Sequence, residues 1–437
     1  MDPLVWGIIG ITLMICCLFL GVPMPATFGT LGVVGMMVVR GWDSTLGMLS
    51  VVSWKNVANW EWTVIPLFQM MGIVIFVVGI GEEIFYALRQ WMGHFAGGIA
   101  ASTSAACAII GTMAGSGFAT TALTSKVAYP EMRKYNYQPA LSLAVCAASS
   151  TVAQMIPPSI LLVVYAVLAE ASIGRTLMAG VIPGFLSMAI YMIMIFIRVR
   201  LNPNLGPPLP AASWRERFVS LRYLVPAGIM MLTIIGGIYF GIFTATEAAG
   251  MGALMIYIIA AGLKRLSWEK IKRVIFETLQ LSVMILAMLL AARGFYTRFL
   301  NLTQVTRAFA ELALGFPSPW ITVFMMFAIM FLLGMFIGGP LAYVTIPLFA
   351  PIINQLGFPM VWFLITIMKM TETGFITPPV CMGVFIAQHI IREVPMADAY
   401  KAVWWFVLCD MVTLGLFIAF PKIVTWLPDT MWGSASL

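Results

Sequence analysis

Charge is what this chain has least of: Asp, Glu, Lys and Arg make up 9% of its 437 residues, against 61% hydrophobic residues. That balance excludes an ordinary soluble domain, where roughly a quarter of residues are charged. Histidine is scarcer still, with only His94 and His389, which leaves no material for a His-based catalytic or metal centre. The six cysteines (Cys16, Cys17, Cys107, Cys146, Cys381, Cys409) sit inside apolar runs without metal-ligand spacing. They read as small hydrophobes, implying neither a disulfide nor a transition-metal site. Met1-Asp2-Pro3 supplies no basic segment ahead of the first apolar run, so that run reads as a retained helix and not a cleavable signal. An intramembrane enzyme would need a positioned nucleophile with a base, or a carboxylate and His cluster, and neither pattern is present.

What the chain has instead is long apolar segments. Residues 5–20 and 64–80 are nearly continuous runs of spanning length, unlike the alternation of an outer-membrane barrel. The expected fold is an all-α polytopic membrane protein. In the first half, spans are expected at 5–23, 28–39 and 64–81, with a charged interfacial arm at 82–95. Residues 97–135 are rich in Gly, Ala, Ser and Thr and interrupted at Gly115-Ser116-Gly117, which predicts a re-entrant helical hairpin, hairpin 1. A broken helix at 141–169, interrupted at Pro157-Pro158, a span at 177–197 and a Pro- and Arg-rich loop at 198–222 follow. The second half repeats the order: spans at 223–240 and 245–263, a basic arm at 264–273, a span at 276–295 and a charged arm at 297–314. Hairpin 2 at 320–356, interrupted at Gly338-Gly339-Pro340, a broken helix at 361–391 and a span at 403–420 complete it.

The two halves also match as sequence, at an offset of about 220 residues. IPPSILLVVY from Ile156 aligns with TPPVCMGVFI from Thr377, and GTMAGSGFATTALTSKVAYPEM from Gly111 with GMFIGGPLAYVTIPLFAPII from Gly334; two further stretches align in order. Duplication with five crossings and one hairpin per half makes the halves inverted repeats, residues 1–200 and 223–437, joined by a cytoplasmic linker at 201–222. Hairpin tips and helix breaks can then meet near the midplane. Sixteen of the 24 Lys and Arg fall in loops of one parity and seven in the other, so both termini are expected outside, hairpin 1 opening inward and hairpin 2 outward.

A broken helix offers amides that attract anions and carbonyls that coordinate small hard cations. Ser116, Thr120, Ser149, Ser150, Thr151 and Ser159 surround the first break, and Thr345, Thr371, Thr373 and Thr377 the second. Oxygen-rich, carboxylate-poor surroundings fit a sodium site, with Ser116, Ser159, Thr373 and Thr377 the functional candidates. Lys369 and Glu372, three apart on one helix, are expected to neutralise each other. Glu247, after Thr244, is expected to cap its helix, and Asp410 in the last span has no assigned partner.

GIFTATEAAGMGA from Gly241, IPPSILLVVYA from Ile156, AGVIPGFL from Ala179 and ETGFITPPV from Glu372 resemble the large membrane subunit of tripartite ATP-independent periplasmic (TRAP) transporters, over almost the whole chain. The resemblance implies an inverted-repeat, elevator-type secondary transporter of the bacterial inner membrane. Such a protein imports small organic anions with sodium and uses no cofactor beyond that coupling ion. It needs a small four-helix membrane subunit and a periplasmic substrate-binding protein. The resemblance places one cation site at Gly115, Ser116, Gly117, Pro157, Pro158 and Ser159. It places a second at Gly338, Gly339, Pro340, Thr373, Gly374, Thr377 and Pro378. Substrate would lie between the tips, against Ser116, Ser150, Gly339, Pro340 and Thr377. The chain departs from the family pattern at Ala114 and Gly117, where hydroxyls are usual, at Ala245, where proline is usual, and at Cys381, where glycine is usual. A stand-alone sodium-coupled anion symporter of the same architecture is the alternative.

Overall fold

The structure, a computed structural model, describes residues 2–115 and 117–431. Helices make up most of the described backbone, and among the described residues there are no strands. Among the described residues, six helices are long and apolar enough to cross a bilayer, or up to eight if each of two bent pairs counts as one span. The first two helices, Pro3–Phe19 and Met24–Arg40, are 17 residues each, at the short end of crossing length. Their outward faces carry exposed Ile8, Leu13 and Val34, and the long helix Trp268–Leu302 exposes Phe276, Leu279 and Val283. In water such faces would be a liability; against lipid they are the ordinary exterior of a multi-pass membrane protein.

Hairpin 1 forms where the glycine interruption predicts it, with arms Gly98–Ala114 and Gly117–Lys134 in mutual contact. Hairpin 2 has arms Pro319–Ile337 and Ala342–Gln355, turned by Gly338 (φ +71°) and a short 3-10 segment Gly339–Leu341. The broken helices are Pro139–Met155 with Ile160–Leu168, bent by 49°, and Met360–Ile376 with Met382–Ile391. Both Pro-Pro peptides, Pro157–Pro158 and Pro378–Pro379, are cis. Aligned glycines serve aligned contacts. A β-carbon at Gly111 would lie 2.3 Å from Ala153 Cα, and one at Gly374 would lie 2.6 Å from the carbonyl carbon of Gly334. In each half a hairpin arm therefore lies directly on the backbone of its broken helix.

Several boundaries differ from expectation. A helix at Trp42–Val57 stands where a loop was expected, because its Asp, Ser, Thr and Asn dilute the hydropathy of an otherwise helical stretch. The basic arm at 264–273, the span at 276–295 and the start of the next arm are one helix, Trp268–Leu302, with a π-helical segment Leu290–Tyr296. Charge inside a helix marks a change of environment and need not end it. The remainder of that arm is a separate helix, Val305–Leu314. The span Ile173–Leu201 continues past Arg198 and Arg200, and the linker holds a short helix, Trp214–Ser220, with a Ser213–Glu216 capping box. A last helix, Lys422–Asp429, follows the final span Met396–Ala419. The Thr244–Glu247 cap forms as expected.

Packing groups the helices in two sets that also meet. Hairpins and broken helices pack with the spans Ile173–Leu201 and Met396–Ala419, while the first three helices, Val64–Val78, Ala245–Gly262 and Trp268–Leu302 pack with one another; the sets touch where Val64–Val78 lies on Gly98–Ala114 and Ile160–Leu168, and where Leu290–Tyr296 lies on Ala342–Gln355. The arm Ile80–Met92 holds the short linker helix, Trp91 Nε1 donating to Arg217 O (3.0 Å). Between arm and hairpin 1, Leu209 N donates to Gly93 O (2.9 Å), Gly97 N to Gly206 O (2.9 Å) and Gln138 N to Leu205 O (3.0 Å). The linker is thus stitched to the root of hairpin 1.

Candidate functional site

The first broken helix stops at Met155, runs extended through Ile156 and restarts at Ile160, where Ser159 Oγ accepts from the Leu162 amide (3.3 Å). Hairpin 1 meets this break at Gly115 (φ +60°), where a β-carbon would lie 3.3 Å from both Pro158 O and Ile160 N. The span Ile173–Leu201 closes on it from behind. β-Carbons at Gly180 and Gly184 would lie 2.3 Å from Met155 O and from the Ile156 side chain. That is the structural content of the AGVIPGFL stretch: small residues let a span lie on broken backbone. At the second break Thr377 Oγ1 donates to Thr373 O (2.6 Å), Tyr400 donates to Pro379 O (3.0 Å), and Cys381 turns the chain in the left-handed region (φ +49°).

Each hairpin tip also reaches the other half of the chain. A β-carbon at Gly339 would lie 3.3 Å from the Leu161 side chain, and the Phe118 ring packs edge-on against Phe375 with centroids 5.1 Å apart. The tips and breaks surround a cavity of about 660 Å³, walled by Gly115, Gly117, Gly339, Gln154, Tyr165 and Glu372 and closed by Gln69, Met284 and Met288 of the other helix set. The space a side chain at Gly117 would fill is occupied by the Gln154 amide, whose Nε2 lies 2.0 Å from the β-carbon position. A neighbour's amide thus stands where relatives are expected to carry a hydroxyl.

Lys369 and Glu372 do not pair. Lys369 Nζ lies 2.6 Å from Asp410 Oδ1, with both side chains fully buried, and 5.6 Å from the Tyr191 ring centroid. Tyr191 donates to the same oxygen (2.7 Å), and Thr373 Oγ1 lies 3.3 Å from Asp410 Oδ2 and 2.7 Å from Lys369 O. Thr151 of the first broken helix reaches the Tyr191 hydroxyl at 3.4 Å. One buried ion pair thereby ties both broken helices to the two spans behind them. Three residues along a helix turn a side chain by about 60°, enough to send Lys369 to the last span and Glu372 into the cavity. Glu372 is 3% exposed, and neither carboxylate oxygen has a hydrogen-bond partner among the described residues.

Of the residues singled out in the sequence, Gly115, Gly117 and Gly339 line the cavity, while Ser159, Thr373 and Thr377 make contacts within the breaks. Neither Ser150 nor Thr377 lines the cavity; Ser150 Oγ accepts from Thr121 (2.6 Å) at a helix contact. Gly338 turns hairpin 2, and Gly374 seats it on the broken helix. Pro157 and Pro378 form the breaks, and Pro340 belongs to the 3-10 segment. Ser116 lies outside the described residues. Gln154, Tyr165 and the Asp410 pairing were missed. The signal for Asp410 was present: a lone carboxylate and a lone lysine in separate apolar helices are each costly unless they meet.

A family model, the DctM component of tripartite ATP-independent periplasmic transporters, matches residues 11–423. The chain belongs to this family. Among relatives of this DctM component, the C4-dicarboxylate TRAP transporter large permease protein of Pseudomonas aeruginosa is 28% identical, covering 87% of this chain and 89% of that one. The ectoine TRAP transporter large permease protein of Halomonas elongata is 29% identical, covering 95% and 97%. The ectoine/5-hydroxyectoine large permease protein of Ruegeria pomeroyi is 30% identical, covering 78% and 80%. Among solved structures, the YdaH transporter of Alcanivorax borkumensis is similar in fold, with a TM-score of 0.63 at 13% identity over 87% of this chain and 90% of that one. A DctM component is a transporter permease and not an enzyme, and a tripartite system implies partnership with a small membrane subunit and a periplasmic binding protein.

Proposed function

We propose that this chain is the transport subunit of a sodium-coupled, binding-protein-dependent secondary transporter that imports small carboxylate-type organic anions by an elevator mechanism. The observation that carries the reading is the cavity walled by both hairpin tips, each touching the opposite half of the chain, and closed by Val64–Val78 and Trp268–Leu302 of the other helix set. The moving body comprises the hairpins, the broken helices and the spans Ile173–Leu201 and Met396–Ala419. The Lys369–Asp410 pair is the reason for including those two spans. Sodium is held by carbonyls and hydroxyls at the breaks, near Gly115, Gly117, Pro157 and Ser159 in one half and near Gly338, Thr373, Gly374, Thr377 and Pro378 in the other. Substrate sits in the cavity, against Gly339. The chain lies in the bacterial inner membrane with its termini in the periplasm and hairpin 1 opening inward. A small four-helix subunit widens the fixed set, and a periplasmic binding protein delivers the ligand. The substrates named for the relatives above, a C4-dicarboxylate and ectoine, both bear carboxylates.

Uptake into proteoliposomes is expected to require an inward sodium gradient, the small subunit and the loaded binding protein together. Uptake without sodium refutes the coupling, and uptake without the binding protein establishes the stand-alone symporter instead.

A further inference from the structure

The π-helical segment Leu290–Tyr296 lies where the two helix sets meet, and its one charged residue, Arg293, points across the seam. On its own side the segment is bedded in the first two helices. Tyr296 donates to Gly10 O (3.2 Å), and a β-carbon at Gly32 would lie 2.7 Å from Tyr296 N. π turns are rare and recur at functional sites. Here Ala291, Ala292 and Gly294 are buried, while Arg293 reaches the end of the first broken helix. Its Nη2 donates to Glu170 Oε1 (2.8 Å) and its Nη1 to Val167 O (3.3 Å). Val167 O is among the last carbonyls of Ile160–Leu168, which no amide within that helix can satisfy and which carry the negative end of its dipole. The fork of a guanidinium serves the carbonyl and the carboxylate together, which a lysine ammonium matches less well.

Both anchors of this contact continue walls of the cavity. Met284, Ile285 and Met288 line it from the helix that carries Arg293, and Ile160, Leu161 and Tyr165 line it from the half-helix that holds Val167. Arg293 stands about one turn and a half beyond Met288, and Val167 two residues beyond Tyr165. The guanidinium therefore bridges two walls close to the cavity's edge. Glu170 is mostly exposed and Arg293 only partly, so the pair holds with modest strength, which suits a contact that has to open.

We infer that Arg293 is a positioning residue that clasps these two walls together, and that its release from Val167 and Glu170 opens the cavity along the seam. This rests on the transport reading above and gives its moving and fixed bodies a release point. The test is the rate at which a charged methanethiosulfonate reagent modifies a cysteine placed in the cavity by Met288→Cys, a position 5% exposed, in the full chain in detergent without sodium. Cys16 and Cys17, the two native cysteines that are not buried, are replaced by alanine. Arg293→Gln is expected to speed modification about threefold to fivefold, the range a partly exposed pair can supply, and Arg293→Lys by less. Glu170→Arg, at an exposed position, sets like charge against Arg293 and should also speed it. Unfolding midpoints should stay within about two degrees of the parent, since the contact is small against the stability of the whole. A midpoint that falls further while the modification rate stays put assigns Arg293 a purely structural role and overturns the inference. An unchanged rate in Arg293→Gln, or in Glu170→Arg should Arg293→Gln fail to fold, overturns it as well and leaves the transport reading standing. Faster modification in these variants together with sodium-independent uptake by the parent chain upholds the clasp and refutes the coupling.

Discussion

Cys381 shows how much one side chain can say about its backbone. It caps the helix Met382–Ile391 with φ +49°, ψ +56°, fully buried, its thiol donating to Ile376 O at 3.1 Å. A left-handed conformation costs a β-carbon-bearing residue roughly 1–2 kcal/mol and costs glycine nothing comparable. Cys381→Gly is therefore expected to stabilise the protein by about 1 kcal/mol, the weak thiol contact being a small offset; an unfolding midpoint that falls would contradict this. The departure of Cys381 from the family pattern was legible in the sequence, but the reason glycine suits the position was not, since φ is not written in residue identity. Lys369 illustrates the opposite failure. Its sequence neighbour Glu372 offered a local partner, and only the arrangement of three helices reveals that Asp410, 41 residues away, is the real one.

At the scale of elements, the interruptions were readable because glycine and proline act locally. Hairpin arms and broken helices fall within a few residues of their expected limits. Helices in mixed surroundings were harder, as Trp42–Val57 and the uninterrupted Trp268–Leu302 show, because polarity reports the solvent around a helix and not its hydrogen bonding. Contact between elements makes a sharper claim. Gly374→Val puts side-chain atoms into the Gly334 and Met335 backbone, which can yield only by parting hairpin 2 from its broken helix. A loss of about 1–3 kcal/mol is expected, together with loss of any sodium-dependent stabilisation. Gly250→Ala, where nothing lies within 4 Å of the added carbon, serves as control and should be neutral or slightly stabilising. Equal midpoints for the two variants would refute the close packing.

At the scale of the whole molecule, the two halves are fastened at one end by Glu393, which accepts from Tyr129 (2.8 Å) and pairs with Arg133 (2.7 Å). These partners, the tyrosine hydrogen bond foremost, hold the Glu393 carboxyl below the usual carboxylate range. A carboxyl with a lowered folded value lends stability that is present above its unfolded value, near 4.5, and is lost as pH falls through the folded one. The stability gap between wild type and Glu393→Gln should therefore be full at pH 7 and close below about pH 4; because the pair is partly exposed it should stay under about 1 kcal/mol. A gap that is constant with pH would assign the effect to packing. Which helices pack as one set could not be read from either half alone, since it depends on ion pairs and glycine contacts between them. The stitched linker adds a mechanical limit. Its residues 205–209 are bonded at the foot of hairpin 1, and its next helix, beginning at Trp214, is bonded to the arm that ends at Met92. Five peptide units lie between Leu209 and Trp214, and a chain of that length drawn taut reaches about 18 Å. Leu209 is held at Gly93, the cap of that same arm, and the arm packs along Gly98–Ala114, so the stretch between the anchors is free to loop out but cannot carry the linker's helix away from the foot of hairpin 1.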